Sequence, residues 1–217
     1  MKCRFCGEEC IKKGRQANGK QQYKCSHCHK RQQEHYSYNA YSPNLNTDIT
    51  TLTKEGVGIR STARILQISP TTLLHRIILI AKSTSRRPVV KHRIYEVAEI
   101  KSFVRRKSKF VWIAYALDRK SKEVVIYNIG PRTNSTLGAV LERLKLSEAK
   151  RIYTDRLRNY RSLIDRKIHR TSLYGTNHIE RNYLTLRTHL KRLTKRTICY
   201  NRSTVILSAI LKIYFWG

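Results

Sequence analysis

Acidic residues are scarce in this chain of 217 residues: 14 Asp and Glu stand against 45 Lys and Arg, a formal net charge of +31. A surface so one-sided repels itself unless a polyanion neutralises it. Long apolar runs are missing too. No stretch of about 18 apolar residues occurs, which excludes a simple transmembrane helix. The opening Met1-Lys2-Cys3-Arg4 has no apolar signal core, which argues against secretion. Polybasic membrane segments are short and sit beside an anchor. Here the cations run the whole length of the chain, so nucleic acid, not a membrane, is the expected partner. The rest of the composition is ordinary, with 40% hydrophobic and 27% charged residues, and this excludes wholesale disorder. Six cysteines in a basic chain without a signal segment point to the reducing cytoplasm and to metal ligation instead of disulfides.

Cys3-Arg4-Phe5-Cys6 and Cys25-Ser26-His27-Cys28 are two CxxC knuckles with eighteen residues between them. Each knuckle puts two thiolates on a tight turn, and the pair completes a tetrahedron around Zn²⁺. Lys2, Arg4 and Lys24 flank the knuckles and favour the thiolate form. Residues 1–42 therefore read as a zinc ribbon of short hairpins held by structural zinc, with Gln21 to Lys24 as one strand. Cys10, His27 and His29 are spare potential ligands.

Residues 46–83 read as a helix-turn-helix DNA-binding domain. Asn46-Thr47-Asp48 is expected to cap a first helix, Gly56-Val57-Gly58 breaks the chain, and Ile59 to Leu66 restarts it. Ser69-Pro70 signals the start of a third helix, with Leu74, Ile77, Ile78 and Ala81 on its apolar face. Arg60, Thr71, Thr72, His75 and Arg76 would face DNA. Ser83 to Pro88 has linker composition.

Residues 89–217 form the third expected domain. His92–Ile100, Phe110–Leu117 and Val124–Ile129 read as a three-strand meander. A helix follows from Thr133-Asn134, then a short strand, Lys150–Thr154, ending at Asp155. His169–Leu173 is a further candidate strand, Asn177 to about Arg192 a basic helix, and Ser203–Phe215 an apolar one with Ile206, Ile210 and Tyr214 as its stripe. The order is that of a ribonuclease H-like domain with a mixed sheet, so the expected class is α+β multidomain. Among the nine acids beyond residue 88, Asp155 stands out at a strand end. Glu180 stands near a helix start, with twenty-four residues between them. Such a pair can hold Mg²⁺ through hard oxygen ligands, and two such ions can serve phosphodiester transfer. The basic helix and the segment after it carry Arg181, Arg187, Lys191, Arg192, Lys195, Arg196 and Arg202. A second cluster is Lys101, Arg105, Arg106, Lys107 and Lys109. Binding through such cations is steeply salt-dependent.

Tyr95-Glu96-Val97, Ile152-Tyr153-Thr154-Asp155, Tyr174-Gly175-Thr176-Asn177-His178-Ile179-Glu180-Arg181 and Leu184 to Arg192 together resemble DDE transposases of the insertion-sequence-one family. The knuckles and the helix-turn-helix match as well. The resemblance implies a prokaryotic, nucleoid-associated enzyme that binds terminal inverted repeats. It would cut strands with Mg²⁺ and join the ends to target DNA, as a homodimer or higher assembly. It makes Asp155 the second acid and Glu180 the third. Arg187, two helical turns after Glu180 and on its face, matches a basic position near the transposon end, and His178 is a candidate helper at the metal. The family's first acid is missing: its Tyr-Glu-Val-Asp-Glu reads Tyr95-Glu96-Val97-Ala98-Glu99 here. A methyl group cannot coordinate Mg²⁺, and Glu99 points to the other face of the strand. The chain as written is therefore expected to bind DNA without cleaving it, whether Ala98 is a deliberate substitution or the mark of a decayed copy. The competing readings are a non-enzymatic DNA-binding repressor of the element and a ribosomal or other RNA-binding protein. Cys199 is expected to pack as a small apolar residue.

Overall fold

The computed structural model describes the chain apart from residues 17–18, 35–37, 173 and 195–198. Lys195 and Arg196 of the basic cluster and Leu173 of the candidate strand lie outside the described residues. Two compact units are present, Met1–Ser42 and Pro43–Gly217.

The smaller unit is an antiparallel sheet of β1 (Cys10–Arg15), β2 (Gln21–Cys25) and β3 (Arg31–Gln33), in that order. Among the described residues, its hydrophobic cluster is Cys3, Cys10 and Cys25 with Tyr23 and Cys28 packed on them. Five such side chains give little apolar area to offset the entropy of ordering the backbone. Gln32 is buried and ties the first knuckle to β3: its Nε2 donates to the Lys2 carbonyl at 2.9 Å, and its Oε1 accepts from the Arg4 amide at 3.0 Å. Gly7 follows that knuckle at φ +80°, where a side chain would be strained.

In the larger unit, α1 (Leu45–Lys54) starts before the expected cap, and Asn44 precedes it without a side-chain cap bond. Leu45 and Ile49 are one turn apart and both buried, so packing overrides the Asp48 signal. Next, α2 (Ile59–Ile65) is joined to α3 (Pro70–Ser83) by a turn in which Gln67 has φ 52°. The Ser69 hydroxyl accepts from the Thr72 amide at 3.0 Å, with Pro70 in the first turn. The buried stripe of α3 is Leu73, Ile77, Ile80 and Ala81, while Leu74 and Ile78 are half-buried. This corrects the expected face, because α3 is packed by α1 and α2 and also by the last helix of the chain.

The sheet contains β4 (Ile94–Phe103), β5 (Phe110–Asp118) and β6 (Val124–Gly130), followed by α4 (Asn134–Leu146) and β7 (Arg151–Thr154). After these come α5 (Arg158–Leu163), β8 (His169–Arg170), α6 (Asn177–His189) and α7 (Thr204–Trp216). The strand order is β6-β5-β4-β7-β8. The meander β4–β5–β6 is antiparallel, whereas β4–β7 and β7–β8 are parallel. This is the mixed sheet expected of a ribonuclease H-like domain. One face is covered by α4 and α5, with Tyr95, Val97, Leu137, Val140, Leu144 and Tyr160 in its core. On the other, α6 packs on β4 and β5, and α7 joins β6 to α1 and α3.

Three expectations change here. The helix α6 stops at His189, not near Arg192: a 3₁₀ turn, Lys191–Leu193, comes next, and Leu190 and Leu193 are buried. The buried stripe of α7 is Leu207, Ile210, Leu211 and Ile213 with Ala209, while Ile206 and Tyr214 are half-buried. The short α5 has no counterpart among the expected elements. Among the described residues, no helix is long and apolar enough to cross a membrane.

Candidate functional site

Strands β4 and β7 run parallel with Tyr95 beside Ile152, Glu96 beside Tyr153 and Val97 beside Thr154. One step further along come Ala98 and Asp155, at the carboxyl end of β7. Alternation along β4 puts Ala98 on the face of Glu96, the face that α6 covers. The Asp155 Oδ1 accepts from the Leu157 amide at 3.0 Å, which orients the carboxylate in the turn after β7. The Thr154 hydroxyl bonds the Asp155 carbonyl at 2.9 Å and lies 2.8 Å from the His169 Nε2. Burial, then the nearby Arg161 and Arg170, lower the pKa of His169 and favour its neutral ring.

Glu96 explains how α6 reaches this place. It is fully buried in an apolar strand, where an unpaired carboxylate would be very costly. Its Oε1 lies 2.6 Å from the His178 Nδ1 and 3.3 Å from the Arg119 Nε, and its Oε2 accepts from the Ile179 amide at 2.9 Å. Arg119 also stacks on the Tyr153 ring at 4.6 Å. The buried Tyr115 hydroxyl donates to the Ile179 carbonyl at 3.1 Å. Both backbone groups of Ile179 are thus tied to the sheet, and Glu180 is the next residue. Glu180 is exposed, and its Oε1 accepts from the Thr176 hydroxyl at 2.7 Å. Gly175 fits close to the sheet: a Cβ there would come within 2.6 Å of the Tyr153 Cδ1 and of the Ser172 Oγ. His178, a candidate helper at a metal, has its Nδ1 committed to Glu96. Sequence reasoning misses the role of Glu96. The one signal available is a carboxylate set between Tyr95 and Val97.

Glu99 lies on the opposite face, as alternation requires. Its Oε2 accepts from the Arg132 Nε at 2.9 Å, and the Tyr160 hydroxyl donates to its Oε1 at 3.5 Å. Burial raises its pKa, Arg132 opposes this, and the charge of Asp155 adds to the rise. Asp118 sits across from Tyr95, toward the other end of β4, where it is buried and accepts from the Lys120 amide at 2.9 Å.

Of the basic positions, Arg181 and Lys191 are exposed. Arg187 is half-buried with its guanidinium 4.3 Å from the Tyr183 ring centroid, and its Nε and Nη2 are buried without a hydrogen-bond partner. Arg192 is half-buried, and burial lowers its pKa, so it is poorly placed to meet a phosphate. In the helix-turn-helix, Arg60, Thr71 and His75 are exposed while Thr72 and Arg76 are half-buried.

In the smaller unit, the Sγ atoms of Cys3, Cys6, Cys25 and Cys28 all lie within 4.8 Å of one another. The Cys3–Cys28 and Cys6–Cys25 pairs are 3.5 Å apart. Four thiolates on one Zn²⁺ at about 2.3 Å would sit about 3.8 Å from each other, so the cluster fits the ion. The Phe5 amide, 3.4 Å from Cys3 Sγ, outweighs burial and lowers the Cys3 thiol to about 6. Cys10 is buried beside the cluster, paired across the strands with Cys25, and its Sγ accepts from Gln32 Nε2 at 3.4 Å. Among the described residues, these four cysteines are the one group of three or more Cys, His, Asp or Glu side chains close enough to share a metal.

A family model described as IS1 transposase matches residues 93–215, and another, described as the InsA C-terminal domain, matches residues 36–77. The insertion element iso-IS1n protein InsB of Shigella dysenteriae is 36% identical over 118 residues, which is 54% of this chain and 90% of that protein. The insertion element IS1 2 protein InsB of Escherichia coli is 36% identical over 108 residues, 50% of this chain and 65% of that protein. Among solved structures, a chain of the simian T-cell lymphotropic virus intasome in complex with PP2A regulatory subunit B56 gamma aligns with a TM-score of 0.41. It is 16% identical and covers 75% of this chain and 66% of that one.

Proposed function

Since this chain belongs to the IS1 transposase family, we propose that it grips the ends of its element and presents their terminal phosphates to the sheet end at Asp155 and Glu180. The same reading makes it unable to cut them as written. The observation that carries this is the neighbourhood of Ala98. It lies partway along β4, one step past the Val97–Thr154 pair that brings the end of β7 and Asp155 alongside, and Glu96 docks the helix of Glu180 over the face that Ala98 shares.

The roles divide by chemistry. The four-cysteine cluster holds a structural zinc. The amino-terminal part of α3, with Arg60 of α2, reads a major groove. Arg181, Arg187 and Lys191 meet the backbone, so affinity falls steeply with salt. Arg187 lies on the Tyr183 ring with its Nε and Nη2 buried and unpartnered, so reaching a phosphate would also give its guanidinium a partner. A divalent cation serves such acids by activating the attacking oxygen and stabilising the leaving one. Asp155 and Glu180 could each supply an oxygen ligand, but the third position is a methyl group, and the set as it stands does not fit a two-ion site. Joining two ends to one target calls for at least two copies of the chain.

Ala98→Asp is the direct test. With Mg²⁺ and a labelled terminal-repeat duplex, the substituted chain is expected to nick the strand at the element end, and the chain as written is not. Asp155→Asn in the Ala98→Asp background should abolish nicking and leave binding within about twofold. Equal cutting by the chain as written and by the Ala98→Asp variant would overturn the assignment of the first acid. The vacancy at Ala98 also favours a second reading, a repressor that occupies the ends without chemistry. Under it, Ala98→Asp stays inactive while end binding persists.

A further inference from the structure

Beyond Glu99, strands β4 and β5 carry a group of side chains that the proposed catalytic reading does not use. Lys101 and Trp112 are cross-strand partners, with Phe103 and Phe110 paired two residues on. The Lys101 Nζ lies 3.7 Å from the Phe110 ring centroid and 6.0 Å from that of Trp112. The Arg132 guanidinium lies 4.3 Å from the Trp112 ring centroid while its Nε bonds Glu99. Phe110 is 52% exposed and Trp112 half-buried. The hairpin that joins the two strands adds Arg105, Arg106, Lys107 and Lys109, all exposed. It is pinned by the Arg105 amide on the Asn201 carbonyl at 2.7 Å and the Arg105 Nε on the Arg202 carbonyl at 3.3 Å.

Two features need explaining together. An exposed phenyl ring beside a half-open indole forgoes burial that a core would give. The same place also concentrates cations that repel one another. Both are accounted for if the occupant is an aromatic ring attached to a polyanion. The bases of a duplex have their faces covered by their neighbours, so only a base out of the stack can use such a surface. We propose that Lys101, Phe110, Trp112 and Arg132 form a platform that stacks an unpaired nucleobase of the DNA, while the 105–109 hairpin holds the adjoining phosphates. Arg132 links this platform to the candidate site. It touches Trp112 on one side and Glu99 on the other, and Glu99 in turn meets Tyr160 in the helix that follows Asp155. The base would come from the strand next to the addressed phosphate, pulled around the end of the sheet.

This rests on the reading of the chain as a DNA-acting transposase, and the two can fail separately. The experiment measures binding of the 217-residue, zinc-loaded chain to two labelled DNAs at one salt concentration. One is a blunt terminal-repeat duplex, and the other is the same duplex with a three-nucleotide overhang carrying 2-aminopurine beside the junction. The overhang is expected to bind about 5- to 150-fold more tightly, with a change in 2-aminopurine fluorescence on binding. Phe110→Ala should erase both the preference and the fluorescence change, leaving blunt-duplex affinity within about twofold. Equal affinity of the unsubstituted chain for the two DNAs overturns the platform. So does an equal loss on both DNAs with Phe110→Ala, which would mark these residues as plain backbone contacts. No binding to the blunt duplex at all would instead sink the transposase reading.

Discussion

Glu96 shows how one buried side chain can carry a site without touching its chemistry. Its carboxylate is shared by a histidine, an arginine and a backbone amide, and two of these come from α6. Removing one member of a buried charged group leaves the others unpaired, which costs about 3–5 kcal/mol. Glu96→Ala is therefore expected to lower unfolding stability by about that amount in urea titrations, and Glu96→Gln by less, because an amide oxygen can still accept from Ile179. An unchanged midpoint for Glu96→Ala would remove its anchoring role. Ala98, Asp155 and Glu180 are legible in the sequence because they lie within motifs. Glu96 is not, because its partner histidine is 82 residues away and nothing in a single sequence shows that the two meet. The same holds for Arg132, which sequence reading passes over and which connects Trp112 to Glu99.

At the level of elements, sequence signals work where a cap or an alternation is strong and fail where packing decides. Ser69-Pro70 and Thr133 start their helices as expected, each with a side-chain oxygen that accepts from an amide of the first turn. The meander and the Asp155 strand can be read from apolar alternation and length. In contrast, α1 begins early because Leu45 is buried, and α5 is six residues with no periodicity to read. The start of α6 depends on a close approach that only glycine permits. A methyl group at Gly175 would press on Tyr153, and overpacking of this kind costs about 1–3 kcal/mol. Gly175→Ala is expected to lower stability by that range and to speed hydrogen exchange at the Ile179 amide, as α6 shifts from Glu96. Unaltered exchange there would show that α6 is placed by other contacts.

The whole molecule divides into two units with different sources of stability. Met1–Ser42 has a small interior made largely of cysteine, whereas Pro43–Gly217 has an extended apolar core of its own. Metal binding and folding are coupled in units of the first kind. A strong zinc chelator is therefore expected to expose the first 42 residues to limited proteolysis while the 43–217 unit stays resistant. Simultaneous loss of both units would show that they depend on each other. Within the larger unit, α3 rests on α7 and α7 on β6, so the helix proposed to read a groove and the sheet end proposed to receive a phosphate would belong to one block. Under the proposed function such a block would act as a ruler: the number of base pairs between the gripped sequence and the addressed bond would be set by protein dimensions. A site lengthened by half a helical turn would carry that bond around to the far side of the duplex, out of reach.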